Sequence, residues 1–218
     1  MDPAPRLLIM TNNPGKAAEL RQLLDGCGWQ IVTPRDIGLD LAVDETGATY
    51  HENARAKALA GMQASGLVTL ADDSGLEIEA LGGEPGVDSA RFLGPGATYE
   101  QRFAEIGRRL AGLPRDKRGA RFVCVIAIAD PRDGNVRFAE GEVRGLIAEE
   151  PHGERGFGYD PIFWVPQKSA TMADLPEHQK SIISHRARAI APARQILKEL
   201  LYEHRKAGPG YVSPRQDA

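Results

Sequence analysis

The chain has 218 residues, 42% hydrophobic and 26% charged, a balance that supports a packed core and argues against a disordered chain. A formal net charge of -3 removes the electrostatic case for duplex DNA or an anionic membrane surface as the main partner, but leaves a small anionic ligand open. No apolar run approaches the ~20 residues of a membrane span, and the opening MDPAPRLLIM lacks the basic and long apolar regions of a secretory signal, so a cytoplasmic location is expected.

In chain order, Arg6 to Met10 reads as a short buried strand that ends in the turn cluster Thr11-Asn12-Asn13-Pro14-Gly15. Ala17, Leu20, Leu23 and Leu24 then recur at helical spacing, and Gly26 and Gly28 mark the stop. Gln30 to Thr33 is a second short strand, which makes the opening an α/β pattern. Thr49-Tyr50-His51-Glu52 fits a capping box, so a helix runs from there to about Gln63, with Asn53 and Lys57 one turn apart on one face. Val68 to Ala71 reads as a strand running into a turn at Asp72-Asp73-Ser74-Gly75, followed by another strand over Leu76 to Leu81 and a loop through Gly86.

Phe103, Ile106 and Leu110 place a helix over Tyr99 to Leu110. Ala120 to Asp130 is apolar nearly throughout and reads as a central strand. Asp133-Gly134-Asn135 turns it into a hairpin partner, Val136 to Ile147. From Ser184 the chain is helical to about His204, and Pro192 within that segment predicts a kink or two abutting helices. Residues 1–206 read as one α/β domain, and 207–218 as a loose tail. Cys27 and Cys124 are far apart in sequence and are expected to be buried, reduced thiols; no strong metal spacing such as CxxC or HExxH is present.

Four groups of residues carry chemistry. The first is Thr11-Asn12-Asn13-Pro14-Gly15-Lys16, between a strand and a helix. A helix start offers backbone N–H groups and partial positive charge to phosphate, and Lys16 adds a cation. The same residues also make an ordinary turn, and they do not form a Walker A loop. The second is acidic: Asp44 and Glu45 in one loop, Asp72 and Asp73 at the expected strand end. Carboxylates there suit Mg²⁺, and one beyond those holding metal could accept a proton from water; either pair taken alone reads first as a solvated turn. The third is Gly156-Phe157-Gly158-Tyr159-Asp160-Pro161, where Phe157 or Tyr159 could stack on a purine, or the segment could be a tight turn with Phe157 in the core. The fourth is Lys180 with Ser184-His185-Arg186. Ser184 is a good N-cap, which puts two basic residues in a first helical turn, where the dipole disfavours them unless a ligand needs them. A solvated basic helix face is the alternative. His51, His152, His178 and His204 read as surface residues.

In this order the motifs TNNPGK, DETGATYHENARAKA, LADDSGLEIEALGGEPGVDSAR, GFGYDPIF and KSIISHRARA closely resemble the inosine triphosphate pyrophosphatase family, the dITP/XTP pyrophosphatases, from about residue 7 to about 200. The resemblance implies an elongated, mixed, twisted sheet flanked by helices, two lobes with a central substrate cleft, a homodimer and Mg²⁺ as cofactor. It implies that Thr11, Asn12, Asn13, Pro14, Gly15 and Lys16 hold the triphosphate with help from Lys57. Glu45 and Asp73 would bind metal, and Asp73 would be the proton acceptor. Ser74, Phe157, Gly158, Tyr159, Asp160, Lys180, His185 and Arg186 would hold the nucleotide. The expected substrates are ITP, dITP and XTP, cleaved to monophosphate and pyrophosphate, with no nucleic-acid or membrane partner. A pyrophosphatase for other modified nucleotides, or a nucleotide-binding regulator without turnover, are the competing readings.

Overall fold

The computed structural model describes residues 4–207. Seven strands form one sheet in the order β2-β1-β3-β4-β5-β6-β7. They are β1 (Arg6–Ile9), β2 (Gln30–Val32), β3 (Val68–Ile78), β4 (Gly119–Ala129), β5 (Val136–Ile147), β6 (Phe163–Val165) and β7 (Ala170–Thr171). Five helices accompany them: α1 (Pro14–Leu23), α2 (Tyr50–Ser65), α3 (Tyr99–Arg109), α4 (Glu177–Ile183) and α5 (His185–Ala207). β1 pairs in parallel with both β2 and β3, whereas β6 pairs antiparallel with both β5 and β7. The expected mixed α/β sheet is therefore present, with the apolar β4 as its middle strand.

The helix starts follow from local chemistry. Thr49 and Glu52 form the expected capping box at α2, and Thr98 with Gln101 repeats the device at α3. Asn13 caps α1, with Pro14 as its first residue; its carboxamide oxygen accepts from the N–H groups of Gly15 at 2.9 Å and Lys16 at 3.2 Å. Ser184 Oγ accepts from Ala187 N–H at 3.1 Å, the expected cap at the start of α5.

Three expectations need correction. Asp72 to Gly75 is not a turn between two strands, because β3 runs unbroken from Val68 to Ile78. Pro192 does not split the last segment into two abutting helices; it lies inside α5, one continuous element from His185 to Ala207, where its ring removes the N–H that would reach the carbonyl of Arg188. Cys27 is half-buried rather than buried, whereas Cys124 is fully enclosed in β4. The short elements β6, β7 and α4 lack enough residues for periodicity to reveal them. Of the tail expected over 207–218, residues 208–218 lie outside the described residues and Ala207 still closes α5.

The chain divides into two compact units. One holds the chain through Asp73, Val125–Glu140 and the chain from Ala189 on; the other holds Ser74–Cys124 and Gly141–Arg188. In the first, Leu7, Leu8, Ile9, Leu20, Leu70, Ile126, Ile128 and Leu197 are fully buried. Trp29 Nε1–H donates to the carbonyl of Leu197 at 3.0 Å, and Arg194 donates to the carbonyls of Leu23 and Asp25, which ties α5 to the end of α1. The second unit has its own core of Leu76, Ile78, Ile106, Leu110, Phe122, Val143, Ile147, Phe163 and Met172, with Phe103 packed against it.

Two glycines in that second unit give opposite expectations. A Cβ on Gly145 would lie 2.3 Å from the carbonyl oxygen of Trp164 and 2.7 Å from the Phe163 ring, whereas one on Gly107, within α3, would meet nothing within 4 Å. In urea titrations Gly145→Ala should lose about 1–3 kcal/mol through overpacking. Gly107→Ala should gain about 0.5–1 kcal/mol from helix propensity.

Candidate functional site

The geometry of the acidic residues follows from the unbroken β3. Successive side chains of a strand point to opposite faces, so Asp72 joins Val68 and Leu70 on one face while Asp73 joins Thr69 and Ala71 on the other. Parallel strands joined by right-handed crossovers place α1 and α2 on opposite faces of β2-β1-β3. The partners agree. Lys16 of α1 reaches Asp72 at 3.0 Å, and Lys57 of α2 reaches Asp73 at 2.9 Å. Asp72 is 2% and Asp73 4% exposed, so each aspartate is matched by a lysine from the helix covering its face.

Lys57 Nζ also donates to Glu45 Oε1 at 2.5 Å. One ammonium therefore bridges two carboxylates from separate segments, the loop before α2 and the strand β3. Burial raises the pKa of Asp73 above the ordinary carboxylate value, a push that the nearby Lys57 charge only partly offsets. Burial pulls on Lys57 in the other direction, but the charges of Asp73, Asp72 and Glu45 together leave its pKa raised, and it stays an ammonium. Asn53, one turn before Lys57, is 1% exposed and donates from Nδ2 to Asp73 Oδ2 at 3.2 Å. Its Oδ1 accepts from Gly47 N–H at 2.8 Å.

Among the described residues, no group of three or more His, Cys, Asp and Glu side chains is placed to hold a metal ion. Glu45 and Asp73 nonetheless fit a hard divalent cation: their oxygens already converge on one positive charge, and Mg²⁺ takes one or two carboxylates with water and substrate phosphate completing its shell. Asp44 is exposed.

The phosphate-loop expectation is altered by the cap. Because Asn13 Oδ1 takes the N–H groups of Gly15 and Lys16, the start of α1 does not present those two donors outward. Thr11 Oγ accepts from Asn13 N–H at 3.2 Å, and Asn12 Nδ2 donates to the carbonyl of Leu41 at 3.2 Å. The segment is an ordered cradle in which Lys16, 3.0 Å from Asp72, is the cation.

The second unit assembles an aromatic and cationic group. Asp160 Oδ2 accepts from Phe157 N–H at 2.9 Å and from Lys180 Nζ at 2.6 Å, curling the glycine-rich turn over itself. Gly156 permits this. Its φ of +77° suits glycine, and a Cβ there would fall 2.1 Å from Asp160 Oδ2. Lys180 Nζ lies 4.8 Å and Arg186 Cζ 5.6 Å from the centre of the Phe157 ring. Arg186, 1% exposed, donates to Ser74 Oγ at 3.3 Å. His185 lies stacked on Phe122, ring centres 4.7 Å apart and planes 21° apart.

Tyr159 is not equivalent to Phe157. It is 4% exposed, its hydroxyl donates to the carbonyl of Ser89 at 2.8 Å, and its ring meets Tyr99 edge-on; burial raises its pKa. It belongs to the core, whereas Phe157 is half-buried. His204 departs from the surface reading as well. It is half-buried edge-on to Trp29 at 5.3 Å, and burial lowers its pKa. His51, His152 and His178 are exposed. Asn53 and Phe122 lie against these groups although neither carries a role in the motifs. Asn53 was marked by its helical spacing from Lys57; Phe122 sits in an apolar strand with nothing to set it apart. No helix of the described residues is long and apolar enough to cross a membrane.

Comparison with known proteins gives one consistent answer. The sequence model of the Ham1 family matches residues 7–196. The dITP/XTP pyrophosphatase of Desulforamulus reducens is 46% identical over 201 residues, 92% of this chain and 99% of that protein. The dITP/XTP pyrophosphatase of Bacillus subtilis is 42% identical over 191 residues, 88% and 96% respectively. Among solved structures, the Staphylococcus aureus Ham1 protein superposes with a TM-score of 0.79 at 38% identity, over 89% of this chain and 99% of that one. A HAM1 protein from Coxiella burnetii gives a TM-score of 0.80 at 37% identity, over the same shares.

The raised pKa of Asp73 has a consequence for stability. A carboxyl that holds its proton more tightly folded than unfolded favours folding most below its unfolded pKa, near 3.8, and that favour is lost as pH rises through the folded value. In EDTA, the stability of wild type relative to Asp73→Asn should therefore fall as pH goes from about 4 to about 7. Chemical denaturation at a series of pH values checks this; a difference that is flat or rising with pH would contradict it.

Proposed function

The chain belongs to the Ham1 family, and on that premise we propose that it is a nucleoside triphosphate pyrophosphatase that hydrolyses abnormal purine nucleotides of the ITP, dITP and XTP type to monophosphate and pyrophosphate. The observation that carries the reading is the buried Lys57 bridge between Glu45 and Asp73, which gathers a cation and two carboxylates as phosphate-anhydride chemistry requires. Glu45 and Asp73 would hold Mg²⁺, which when bound offsets phosphate charge and polarises the reacting phosphoryl group.

The protein's own groups do the rest. Asp73 would orient a water, or take its proton, as the water oxygen attacks the α-phosphorus. The bond from that phosphorus to the bridging oxygen breaks, and pyrophosphate leaves with its charge met by Lys16 and Lys57. Thr11 to Gly15 set the cradle that places Lys16. No covalent intermediate is required.

For the base, half-buried Phe157 offers an aromatic surface, and Asp160, Lys180 and Ser74 brace the turn and the arginine beside it. Tyr159 and Gly158 act by shaping this turn. His185 and Arg186 are the donors for a 6-keto oxygen. Adenine presents an amine at that position, so donor would face donor, and each buried polar group left unpaired costs about 1–3 kcal/mol. A cytoplasmic homodimer completes the reading.

The test is pyrophosphate release from ITP, XTP, ATP and GTP, with and without Mg²⁺. Turnover should depend on Mg²⁺, favour ITP and XTP, and fall about 10²–10⁴-fold in kcat for Asp73→Asn. Equal turnover of all four nucleotides, or an unaffected variant, would sink the site assignment while leaving the family membership intact. Gly156→Ala supplies a second check. By displacing Asp160 from Phe157 N–H and Lys180 it should raise KM for ITP about ten- to a hundredfold, the equivalent of one charged hydrogen bond, with kcat changed far less.

A further inference from the structure

Asn53 has no role in the reaction proposed above, yet it touches both of the segments that carry the two carboxylates. It sits on α2, 1% exposed, with one end of its carboxamide on each segment. Nδ2 donates to Asp73 Oδ2 at 3.2 Å and reaches the carbonyl of Gly47 at 3.5 Å, while Oδ1 accepts from Gly47 N–H at 2.8 Å. Gly47 lies two residues after Glu45, in a loop without regular secondary structure of its own. Such a loop has many accessible conformations, and tying it to a helix removes most of them.

We propose that Asn53 is the positioning residue of the metal site: it anchors the Glu45 loop at Gly47 and orients the Asp73 carboxylate, so that both carboxylates stand ready before metal and substrate arrive. The inference rests on the assignment of Glu45 and Asp73 as the carboxylates that hold Mg²⁺. Three features favour it over simple packing. The carboxamide is used at both ends, and its orientation is dictated because only the NH₂ end can face a carboxylate while only the oxygen can face an N–H. It is neutral, so it holds Asp73 without adding charge to a cluster that already contains Lys16, Lys57, Asp72 and Glu45. Gly47 is also shaped for the contact, since a Cβ there would lie 2.7 Å from Asn53 Oδ1 and 2.7 Å from Glu52 Cβ. Lys57 holds the same two carboxylates, but as a cation it occupies the place that a metal ion would compete for; Asn53 does not.

The test compares wild type, Asn53→Ala, Gly47→Ala and the double variant, with Asp73→Asn as reference. The readouts are kcat, KM for ITP, the Mg²⁺ concentration giving half-maximal rate, and the exchange rate of the residue-47 amide proton in metal-free protein by NMR. Loss of an outer partner of a metal ligand typically costs about 10–100-fold in metal affinity or activity. Asn53→Ala should raise the half-saturating Mg²⁺ by about that factor and speed exchange of the residue-47 amide, with KM at saturating Mg²⁺ little changed. Gly47→Ala, which pushes the loop away while leaving Asn53 intact, should reproduce the Mg²⁺ effect. The double variant should be no worse than the worse single, as expected of two residues acting through one contact.

A wild-type Mg²⁺ requirement in folded Asn53→Ala, or strictly additive effects, would overturn the proposal. If Asp73→Asn keeps Mg²⁺-dependent turnover, the site assignment fails and the proposal falls with it. If Asp73→Asn loses turnover while Asn53→Ala needs no extra Mg²⁺, the positioning role alone fails.

Discussion

Two consecutive aspartates buried in the interior of a strand are the constraint around which the first unit is arranged. Removing one partner of a buried ion pair typically costs about 3–5 kcal/mol, so Asp72 and Asp73 are tolerable only with a cation supplied on each face of the sheet. Strand alternation sends them to opposite faces, and the β1-α1-β2 and β2-α2-β3 connections deliver one helix to each. Lys16 and Lys57 are the cations. The topology of the parallel end of the sheet and the pairing of these charges are thus one arrangement, because reversing the hand of one crossover would put both helices on one face and leave an aspartate without its lysine.

The same arrangement explains why this stretch misleads a reading by composition. Asp-Asp-Ser-Gly carries the turn-forming residues of a loop, and local propensity alone ends the strand at Ala71. What keeps β3 going to Ile78 is tertiary: it lies between β1 and β4 in the sheet, and its two aspartates meet lysines and an amide from residues 16, 57 and 53, distant in sequence. Where the signal was local, the residues sufficed. The Thr49–Glu52 capping box, the apolar β4 and its hairpin partner, and the Ser184 cap could be read directly because each depends on neighbours a few positions away. Motif resemblance named residues that the structure brings into two groups, but it could not reveal that Asn13 consumes two helix-start donors, or that Asn53 joins a loop to a strand. Those are facts of geometry.

The cap at Asn13 changes what kind of phosphate site the first segment can be. A helix start with open N–H groups binds an anion through its backbone, as a nest does. Here the Gly15 and Lys16 amides are satisfied internally, which rigidifies the turn and leaves the lysine side chain to meet charge. Lys16 is held by Asp72 in the meantime, and Lys57 by Glu45 and Asp73. Both cations are therefore kept in place at low conformational cost by the carboxylates whose burial they offset.

A parallel division of labour governs the second unit. Phe157 and Tyr159 are two residues apart in one glycine-rich turn, and their types alone do not distinguish them. Their partners do: the Tyr159 hydroxyl is committed to the carbonyl of Ser89, and Ser89 Oγ in turn accepts the N–H of Leu76 at 2.9 Å, so this ring is a structural pin between the turn and β3. Phe157 has no polar group to satisfy, stays half-buried, and has Lys180 and Arg186 against its ring. The turn holds Phe157 steady because Tyr159 is locked into the core, and Gly156 lets Asp160 close it from beneath. Order at the Phe157 turn is thus drawn from the core of that unit, just as order at the carboxylates is drawn from the pairing of Asp72 and Asp73 with lysines.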